Sequence, residues 1–264
     1  MSLPVIEAVG IDKDFGARRG GTAHRALKGV TCRLYEGEIL GLVGESGSGK
    51  TTLSRIMIGI EEPTAGEVRS DGRVIRTRAE WRALRRHVQY VFQDPSTALC
   101  PTMRIGAALA EPLAIHAICP AAARPMRVAR MLEMVGLHPD LARRLPAQLS
   151  GGQRQRVNLA RALMLEPRVL ICDEIVSGLD VSVQAQVLAL LVDLQRKLGL
   201  SIIFISHDLR VIRYLCDRIQ VMLLGEIVEE GPAARVFDAP DHVYTRALLA
   251  AIPDRNRPRH ADVA

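Results

Sequence analysis

The chain has 264 residues, a net charge of +6 at pH 7, and 48% hydrophobic but only 3% aromatic residues. That length supports one large α/β domain or two small ones, with a core built from aliphatic side chains. The arginines are spread along the chain and accompany no nucleic-acid-binding motif, which favours a solvated surface and predicts no nucleic-acid partner. The densest group of them is Arg76, Arg78, Arg82, Arg85 and Arg86.

The start of the chain, its apolar segments and its cysteines bear on the cellular compartment of the protein. The start has no basic segment followed by a long apolar run, so we expect no signal peptide. No stretch of 18 or more apolar residues is present, so none is expected to span a bilayer. The five cysteines are far apart and lack metal-binding spacing, which is typical of reduced thiols in a cytosolic protein. A role at a membrane would therefore depend on partner chains.

Periodicity in the first part of the chain predicts three strands, a helix and a hairpin, at residues 3–10, 30–35, 39–43, 51–60 and 67–75 respectively. The Gly- and Arg-rich segment 16–22 indicates a mobile loop between the first two strands. The run 39–43 is continuously apolar, as in a parallel strand that is buried on both faces.

The amino-acid composition changes at the start of the second part of the chain. Residues 94–150 are rich in proline and divide into short helical pieces, which we interpret as a helical insertion between two halves of a sheet. The α/β pattern then returns, with helices at 153–165, 182–198 and 243–252, strands at 169–172 and 201–205, and a hairpin at 220–230. The charged, proline-containing residues 253–264 are expected to be disordered.

The strongest motif lies between the apolar strand and the helix that follows it. The pattern GxxxxGK[ST] is fitted by Gly44, Glu45, Ser46, Gly47, Ser48, Gly49, Lys50 and Thr51, with Thr52 next in the helix. Its glycines let backbone amides turn toward phosphate oxygens, and the helix directs its positive end at the same place. Lys50 would add a charge for the β- and γ-phosphates, and the Thr51 hydroxyl is a ligand that Mg²⁺ prefers. We therefore predict a site for ATP and Mg²⁺.

Two adjacent carboxylates follow the apolar strand at residues 169–172. Because ligands of open α/β sheets bind at the carboxyl ends of the strands, Asp173 and Glu174 are expected beside the phosphates. Asp173 would help to hold Mg²⁺, and Glu174 would polarise the attacking water. Taken alone, the pair is also compatible with a strand end that simply meets solvent.

Three further polar sites carry weaker signals. Ser150, Gly151, Gly152 and Gln153 precede a helix, where they would either cap it or form a second anion-binding nest for the γ-phosphate of another copy. His207 follows the strand at 201–205 and is predicted to sense the γ-phosphate. Gln93 precedes the helical insertion, and its amide oxygen would ligate Mg²⁺.

In this order the motifs resemble those of the nucleotide-binding subunit of an ABC transporter, over residues 3–252. The Walker A motif is matched by residues 44–51, the signature by 149–153, Walker B with its catalytic Glu174 by 169–174, and the D-loop, with Asp180, by 177–180. Gln93 and His207 match the Q-loop and the switch histidine. Phe15 stands where the family often has an aromatic ring that stacks on adenine.

The resemblance implies a particular fold. It is an α/β, P-loop ABC-type nucleotide-binding domain with a mostly parallel RecA-like core sheet, an antiparallel β subdomain and an inserted α-helical subdomain. The implied single domain spans residues 1–252, with the core and β subdomain at 1–93 and 151–240. The helical subdomain would occupy about 94–150 and a C-terminal helix about 243–252.

A narrower resemblance, to the ATPases of dipeptide, oligopeptide and nickel importers, is carried by residues 92–95, 110–113, 181–186 and 242–245. It implies a second ATPase subunit, either a sister chain or a second copy, and membrane permease subunits fed by an extracytoplasmic solute-binding protein. The chain would then lie at the cytoplasmic face of the membrane. It departs from the family at Ile175 and Val243, where proline is usual, and at Cys100, where asparagine is frequent.

Two other classes of protein share the motifs. One is an ABC-type ATPase subunit of a soluble complex, such as phosphonate degradation, whose motifs can be nearly identical. The other is a DNA-repair ATPase, which would need a long coiled-coil or zinc insertion that this sequence lacks. The cargo of a transporter is chosen by the binding protein and the permease, so these residues do not name it.

Overall fold

The computed structural model describes residues 3–16 and 24–251 of the chain. Most of the predicted loop at 16–22 and all of the predicted tail at 253–264 lie outside the described residues. Within them the strands are β1 Ile6–Phe15, β2 His24–Leu34, β3 Ile39–Val43, β4 Ala65–Ser70, β5 Arg73–Val74, β6 Val88–Val91, β7 Val169–Asp173, β8 Ser201–Ile205, β9 Arg218–Leu223 and β10 Glu226–Pro232.

The α-helices are α1 Lys50–Met57, α2 Arg78–His87, α3 Pro95–Ala98, α4 Ile105–Ile115, α5 Arg124–Met134, α6 Gly151–Leu163, α7 Val181–Leu198, α8 Leu209–Leu215, α9 Ala233–Asp238 and α10 Val243–Ala250. Short 3₁₀ segments lie at Ala121–Ala123, Pro139–Arg143 and Pro146–Gln148. None of the helices in the described part of the chain combines the length and the apolar character needed to cross a membrane.

The larger sheet has six strands in the order β10-β9-β3-β8-β7-β6, and only β10 runs antiparallel to its neighbour. Strands β3, β7 and β8 are buried along their whole length, as their continuous apolar runs predict. The register pairs Ile205 with Leu42 on one side and with Asp173 on the other. The carboxyl ends of these three strands therefore finish at one edge of the sheet, where a ligand crevice is expected.

The smaller sheet is antiparallel, with four strands in the order β2-β1-β4-β5. Strands β1 and β2 are longer than their sequence pattern predicts, because their pairing continues through register shifts that break the alternation of apolar residues. The two sheets and the helices between residues 94 and 150 confirm the predicted fold class.

Four elements were missing from the sequence-based prediction: α2, β6, α8 and α9. Helix α2 contains most of the arginine cluster, and Leu84 is its only buried residue, so its apolar pattern is very weak. Its start is nevertheless marked by a capping box, in which the side chains of Thr77 and Glu80 each accept from the other's backbone amide.

Candidate functional site

The loop that carries the predicted phosphate-binding motif, here called the phosphate loop, connects β3 to α1 and packs closely against other strands. Gly49, the residue before α1, has φ of +107°, a conformation that side chains rarely adopt. A Cβ there would lie 2.7 Å from Leu27 Cδ2 and 2.9 Å from the Ala26 carbonyl oxygen. At Gly44 a Cβ would lie 2.2 Å from the Met222 carbonyl oxygen. Both glycines are therefore required by the close approach of the loop to β2 and β9.

Lys50 places its ammonium group inside this loop. The residue is 5% exposed, and its Nζ donates to the carbonyl oxygens of Gly44 at 2.8 Å and Glu45 at 2.7 Å. Burial lowers the pKa of Lys50, and the charges of Glu174 and Asp173 oppose that shift. A positive charge held in this concave backbone is suited to attract an anion such as phosphate.

Asp173 is the last residue of β7 and faces the start of α1. Its Oδ1 accepts from the Thr51 hydroxyl at 3.3 Å, and its Oδ2 accepts from the Tyr90 hydroxyl at 2.6 Å. Burial raises the pKa of Tyr90, and the Asp173 charge adds to the effect. The Thr51 hydroxyl and the Asp173 carboxylate together offer hard oxygen ligands at one point, which is the chemistry that Mg²⁺ requires.

Glu174 begins the turn after β7 and points away from Asp173. It has φ of +48°, an uncommon value for a residue with a side chain, and its amide donates to the Ile205 carbonyl at 3.0 Å. Its Oε2 lies 3.0 Å from Gln93 Nε2 and 3.4 Å from His207 Nδ1. This left-handed turn, rather than continued strand alternation, directs the two adjacent carboxylates to different neighbours.

Gln93 and His207 reach Glu174 from the strands on either side of β7. Gln93 follows β6, and its Nε2 also donates to Ser177 Oγ at 3.2 Å. His207 follows β8, and its side chain is 62% exposed to solvent. The contacts therefore bring together Lys50, Thr51, Gln93, Asp173, Glu174 and His207 at one edge of the sheet.

The other predicted site residues lie at helix starts and at a strand end. Ser150 and Gln153 form a capping box at α6: Ser150 Oγ accepts from the Gln153 amide at 3.3 Å, and Gln153 Oε1 accepts from the Ser150 amide at 3.0 Å. The Asp180 side chain accepts from the Val183 amide at 2.9 Å and caps α7. Phe15 ends β1 with a partly exposed ring that has Lys13 Nζ at 4.9 Å from its centre.

Comparison with models of known protein families identifies the family to which the chain belongs. Residues 27–177, from β2 to the turn after Glu174, match the family model described as "ABC transporter". The chain belongs to the ABC transporter family. The match includes the phosphate loop, Gln93, the signature residues 150–153 and both carboxylates. The predicted ATP-binding ATPase of a transport system is thereby confirmed.

Relatives in the ABC transporter family cover nearly the whole chain. A protein of Brucella abortus (strain 2308), provisionally named a peptide import ATP-binding protein, is 48% identical over 251 residues, which are 93% of this chain and 75% of the relative. A protein of Brucella ovis with the same provisional name is 48% identical over 252 residues, which are 95% of this chain and 79% of the relative.

Solved ABC transporter structures have the same fold. CbiO1 from Clostridium perfringens, part of the ABC transporter complex CbiONQ, aligns with a TM-score of 0.79 and 30% identity over 90% of this chain and 92% of its own. The ATP-binding cassette MJ0796, solved as a dimer bound to ADP and phosphate, aligns with a TM-score of 0.77 and 30% identity over 86% of this chain and 98% of its own.

Tyr90 and Tyr244 of this ABC ATPase contact the site, and neither was predicted to do so. Tyr90 bonds to Asp173, and the Tyr244 hydroxyl accepts from the Glu45 amide at 3.1 Å. Tyr90 carried no sequence signal, because it lies in a short strand between a charged helix and Gln93. Tyr244 belonged to a segment that resembles peptide importers, but that resemblance assigned it no contact.

Proposed function

We propose that this ABC ATPase powers the import of a peptide through partner membrane permeases. The observation that carries the proposal is the convergence of Lys50, Thr51, Asp173, Glu174 and His207 on one crevice. The direction of transport and the peptide cargo are supported by the provisional names of the relatives that are 48% identical. The site residues thus support ATP hydrolysis, and the relatives support its use in transport.

The triphosphate of ATP would be held by the phosphate loop. We assign the contacts to Lys50 and to the loop residues around it, namely Gly44, Glu45, Ser46, Gly47, Ser48, Gly49, Thr51 and Thr52. The Lys50 ammonium now donates to two loop carbonyls, and phosphate oxygens would compete for its protons. The start of α1 adds its positive end to the same place.

Thr51, Asp173 and Gln93 would hold Mg²⁺. The fit is supported by the Thr51 hydroxyl and Asp173 Oδ1, which lie 3.3 Å apart and are both hard oxygen ligands. Mg²⁺ held there would neutralise negative charge that develops on the phosphate groups during phosphoryl transfer. Gln93 would reach this shell from the crevice side, where its amide nitrogen now contacts Glu174.

Hydrolysis would depend on the position of Glu174. Its carboxylate, held by Gln93 and close to His207, would orient a water and accept a proton as that water attacks the γ-phosphorus. His207 would donate to the γ-phosphate from the exposed edge of the crevice. The uncommon backbone conformation of Glu174 is the kind of local strain that occurs at active sites.

A second ATPase subunit, either a sister chain or a second copy, would complete each site. We propose that residues 150–153 of one subunit bind the γ-phosphate held by the loop of the other, with Ser150, Gly151, Gly152 and Gln153 at the positive end of α6. Asp180 would couple the two sites, and Phe15 would stack on adenine. The dimeric state of the cassette MJ0796 supports this arrangement.

We assign the described elements to one ATPase domain that ends with α10. The core and the β subdomain would comprise residues 1–93 and 151–240, and the helical subdomain would comprise about 94–150. Between the two lies a groove of about 240 Å³, lined by Tyr90 and Arg161 of the core and by Pro112 and Ile115 of the helical subdomain. A permease segment would dock in this groove at the cytoplasmic face of the membrane, and an extracytoplasmic solute-binding protein would deliver the cargo.

The test is affinity capture of the tagged chain from its own cells, performed separately on the soluble fraction and on the detergent-solubilised membranes. The expected result is recovery of two membrane permease chains, and ATP hydrolysis by the recovered complex that rises when a peptide-loaded binding protein is added. An active complex that contains only soluble enzymes would contradict the transport assignment. Such a complex would leave the ATPase site intact and would favour the soluble-complex alternative.

A further inference from the structure

Both carboxylate oxygens of Asp173 have partners, and these come from different elements. Oδ1 accepts from the Thr51 hydroxyl of α1 at 3.3 Å, and Oδ2 accepts from the Tyr90 hydroxyl of β6 at 2.6 Å. The shorter contact is the one to Tyr90. Rotation of the carboxylate would break it, so this hydrogen bond restrains the carboxylate in the orientation in which its other oxygen faces Thr51.

Tyr90 is held firmly enough to act as an anchor. Its hydroxyl oxygen lies 3.1 Å from Oγ of Ser54, which is fully buried in α1. Its ring packs against Phe92 with the ring centres 4.7 Å apart. The next strand, β7, pairs with β6 in parallel and places Tyr90 opposite Ile171, two residues before Asp173. Both the backbone and the side chain of Tyr90 are therefore fixed relative to the carboxylate.

We propose that Tyr90 is a positioning residue for the metal site, and that its hydroxyl holds Asp173 in the orientation in which Oδ1 faces Thr51. The inference rests on the proposed function, in which Thr51 and Asp173 hold Mg²⁺. Hydrogen-bond partners behind a metal ligand commonly change metal affinity or activity about 10- to 100-fold when they are removed. Tyr90 lies outside the motifs that predicted the site.

The test removes only the hydroxyl. Tyr90→Phe keeps the ring that packs on Phe92, and Tyr214→Phe removes a hydroxyl from an exposed tyrosine of α8 as a matched control. The dissociation constant of a fluorescent, non-hydrolysable ATP analogue is measured for each protein with Mg²⁺ and with EDTA. Thermal unfolding of the same samples shows whether each variant is folded.

The expected result distinguishes an effect on Mg²⁺ binding from an effect on nucleotide binding. In EDTA, Tyr90→Phe should bind the analogue with the same dissociation constant as the wild type. The increase in affinity that Mg²⁺ causes should be about tenfold smaller in the variant. The Mg²⁺ concentration that gives half of this increase should be about tenfold higher. Tyr214→Phe should behave as the wild type in both conditions. ATP hydrolysis by Tyr90→Phe should recover as Mg²⁺ is raised.

Two results would overturn the inference. One is a Tyr90→Phe protein whose Mg²⁺-dependent tightening equals that of the wild type. The other is an equal loss of affinity with and without Mg²⁺, which would reveal general damage to the loop. A wild type whose affinity does not respond to Mg²⁺ is a different failure, because it would refute the proposed metal site and the role of Tyr90 with it.

Discussion

The Tyr244 hydroxyl accepts a hydrogen bond from the Glu45 amide over 3.1 Å and so joins α10 to the phosphate loop. Helix α10 is held in turn by Glu229 of β10, whose carboxylate accepts from the amides of Asp241 at 2.8 Å and His242 at 3.0 Å. The first residues of the loop therefore depend on a helix that lies far away in the sequence.

This contact predicts a nucleotide-binding defect in Tyr244→Phe. The variant loses one hydrogen bond to the loop, which is worth about 1 kcal/mol net, so affinity for ATP should fall about threefold to tenfold. Equilibrium titration with a fluorescent ATP analogue measures the change. Val243→Ala, which alters an exposed residue of the same helix, is the control and should bind as the wild type does. Equal affinities for all three proteins would show that the contact does not support the loop.

The attachment of α10 should also depend on pH through Glu229. Burial acts to raise the pKa of Glu229, but its hydrogen bonds, including those from the Asp241 and His242 amides, lower the pKa below its usual value. A lowered folded-state pKa means that the stabilisation is present above the unfolded pKa of about 4.3 and is lost as the pH falls through the folded one.

Glu229→Gln should therefore be less stable than the wild type near neutral pH, by about 1–3 kcal/mol of unfolding free energy. The difference should shrink as the pH falls from about 4.3 through the lower folded-state pKa, because the unfolded wild type takes up a proton at Glu229 before the folded protein does. Urea denaturation at a series of pH values measures it. A difference that is constant across the series would exclude the charged carboxylate as its source.

Replacement of Gly49 by alanine, the smallest possible substitution, should lower the unfolding free energy strongly. Gly49→Ala would place a methyl group 2.9 Å from the Ala26 carbonyl oxygen at φ of +107°, whereas Gly199, at the end of α7, has φ of +63° and nothing within 4 Å of a Cβ. Gly49→Ala introduces both backbone strain and a steric clash, whereas Gly199→Ala introduces backbone strain alone. Gly49→Ala should therefore lower the unfolding free energy by at least about 2 kcal/mol more than Gly199→Ala does. Thermal and urea unfolding of both variants test this, and similar losses would count against the packing described for the loop.

Lys50 should matter for binding more than for folding. Lys50→Ala removes the charge held inside the loop, and hydrogen bonds to charged groups are worth about 1.5–3 kcal/mol, so affinity for ATP should fall by more than about tenfold. Lys197→Ala is a matched control, because Lys197 is exposed on α7 and pairs only with Asp193 among the ion pairs of the described residues. Unchanged binding of labelled ATP by Lys50→Ala would remove the loop from the account.

Much of the site could be predicted from sequence because its residues follow elements with strong patterns. The glycines and Lys50 sit between a continuously apolar strand and a helix, and Asp173 and Glu174 end another such strand. Parallel strands bring their carboxyl ends to one edge, so His207 could be placed beside them without any knowledge of side-chain contacts. The roles of these residues remain predictions.

The parts that sequence did not reveal lack local periodicity or depend on distant contacts. Helix α2 buries only Leu84, so its arginine-rich sequence resembles a loop, although Thr77 and Glu80 form a capping pattern that could have indicated it. Tyr244 reaches Glu45 across 199 positions, and Tyr90 reaches Asp173 across 83. Single-sequence patterns describe neighbours along the chain and do not report such pairs.

If Glu174 orients the water that attacks ATP held by the phosphate loop, its replacement by glutamine should nearly abolish phosphate release. Glu174→Gln, assembled with its partner subunits and Mg²⁺, should bind ATP as the wild type does and should trap a closed dimer. Its turnover should fall by about 10²- to 10⁴-fold, because the amide cannot accept the proton of the attacking water. Sustained multiple turnover near the wild-type rate would show that Glu174 does not accept the proton of the attacking water.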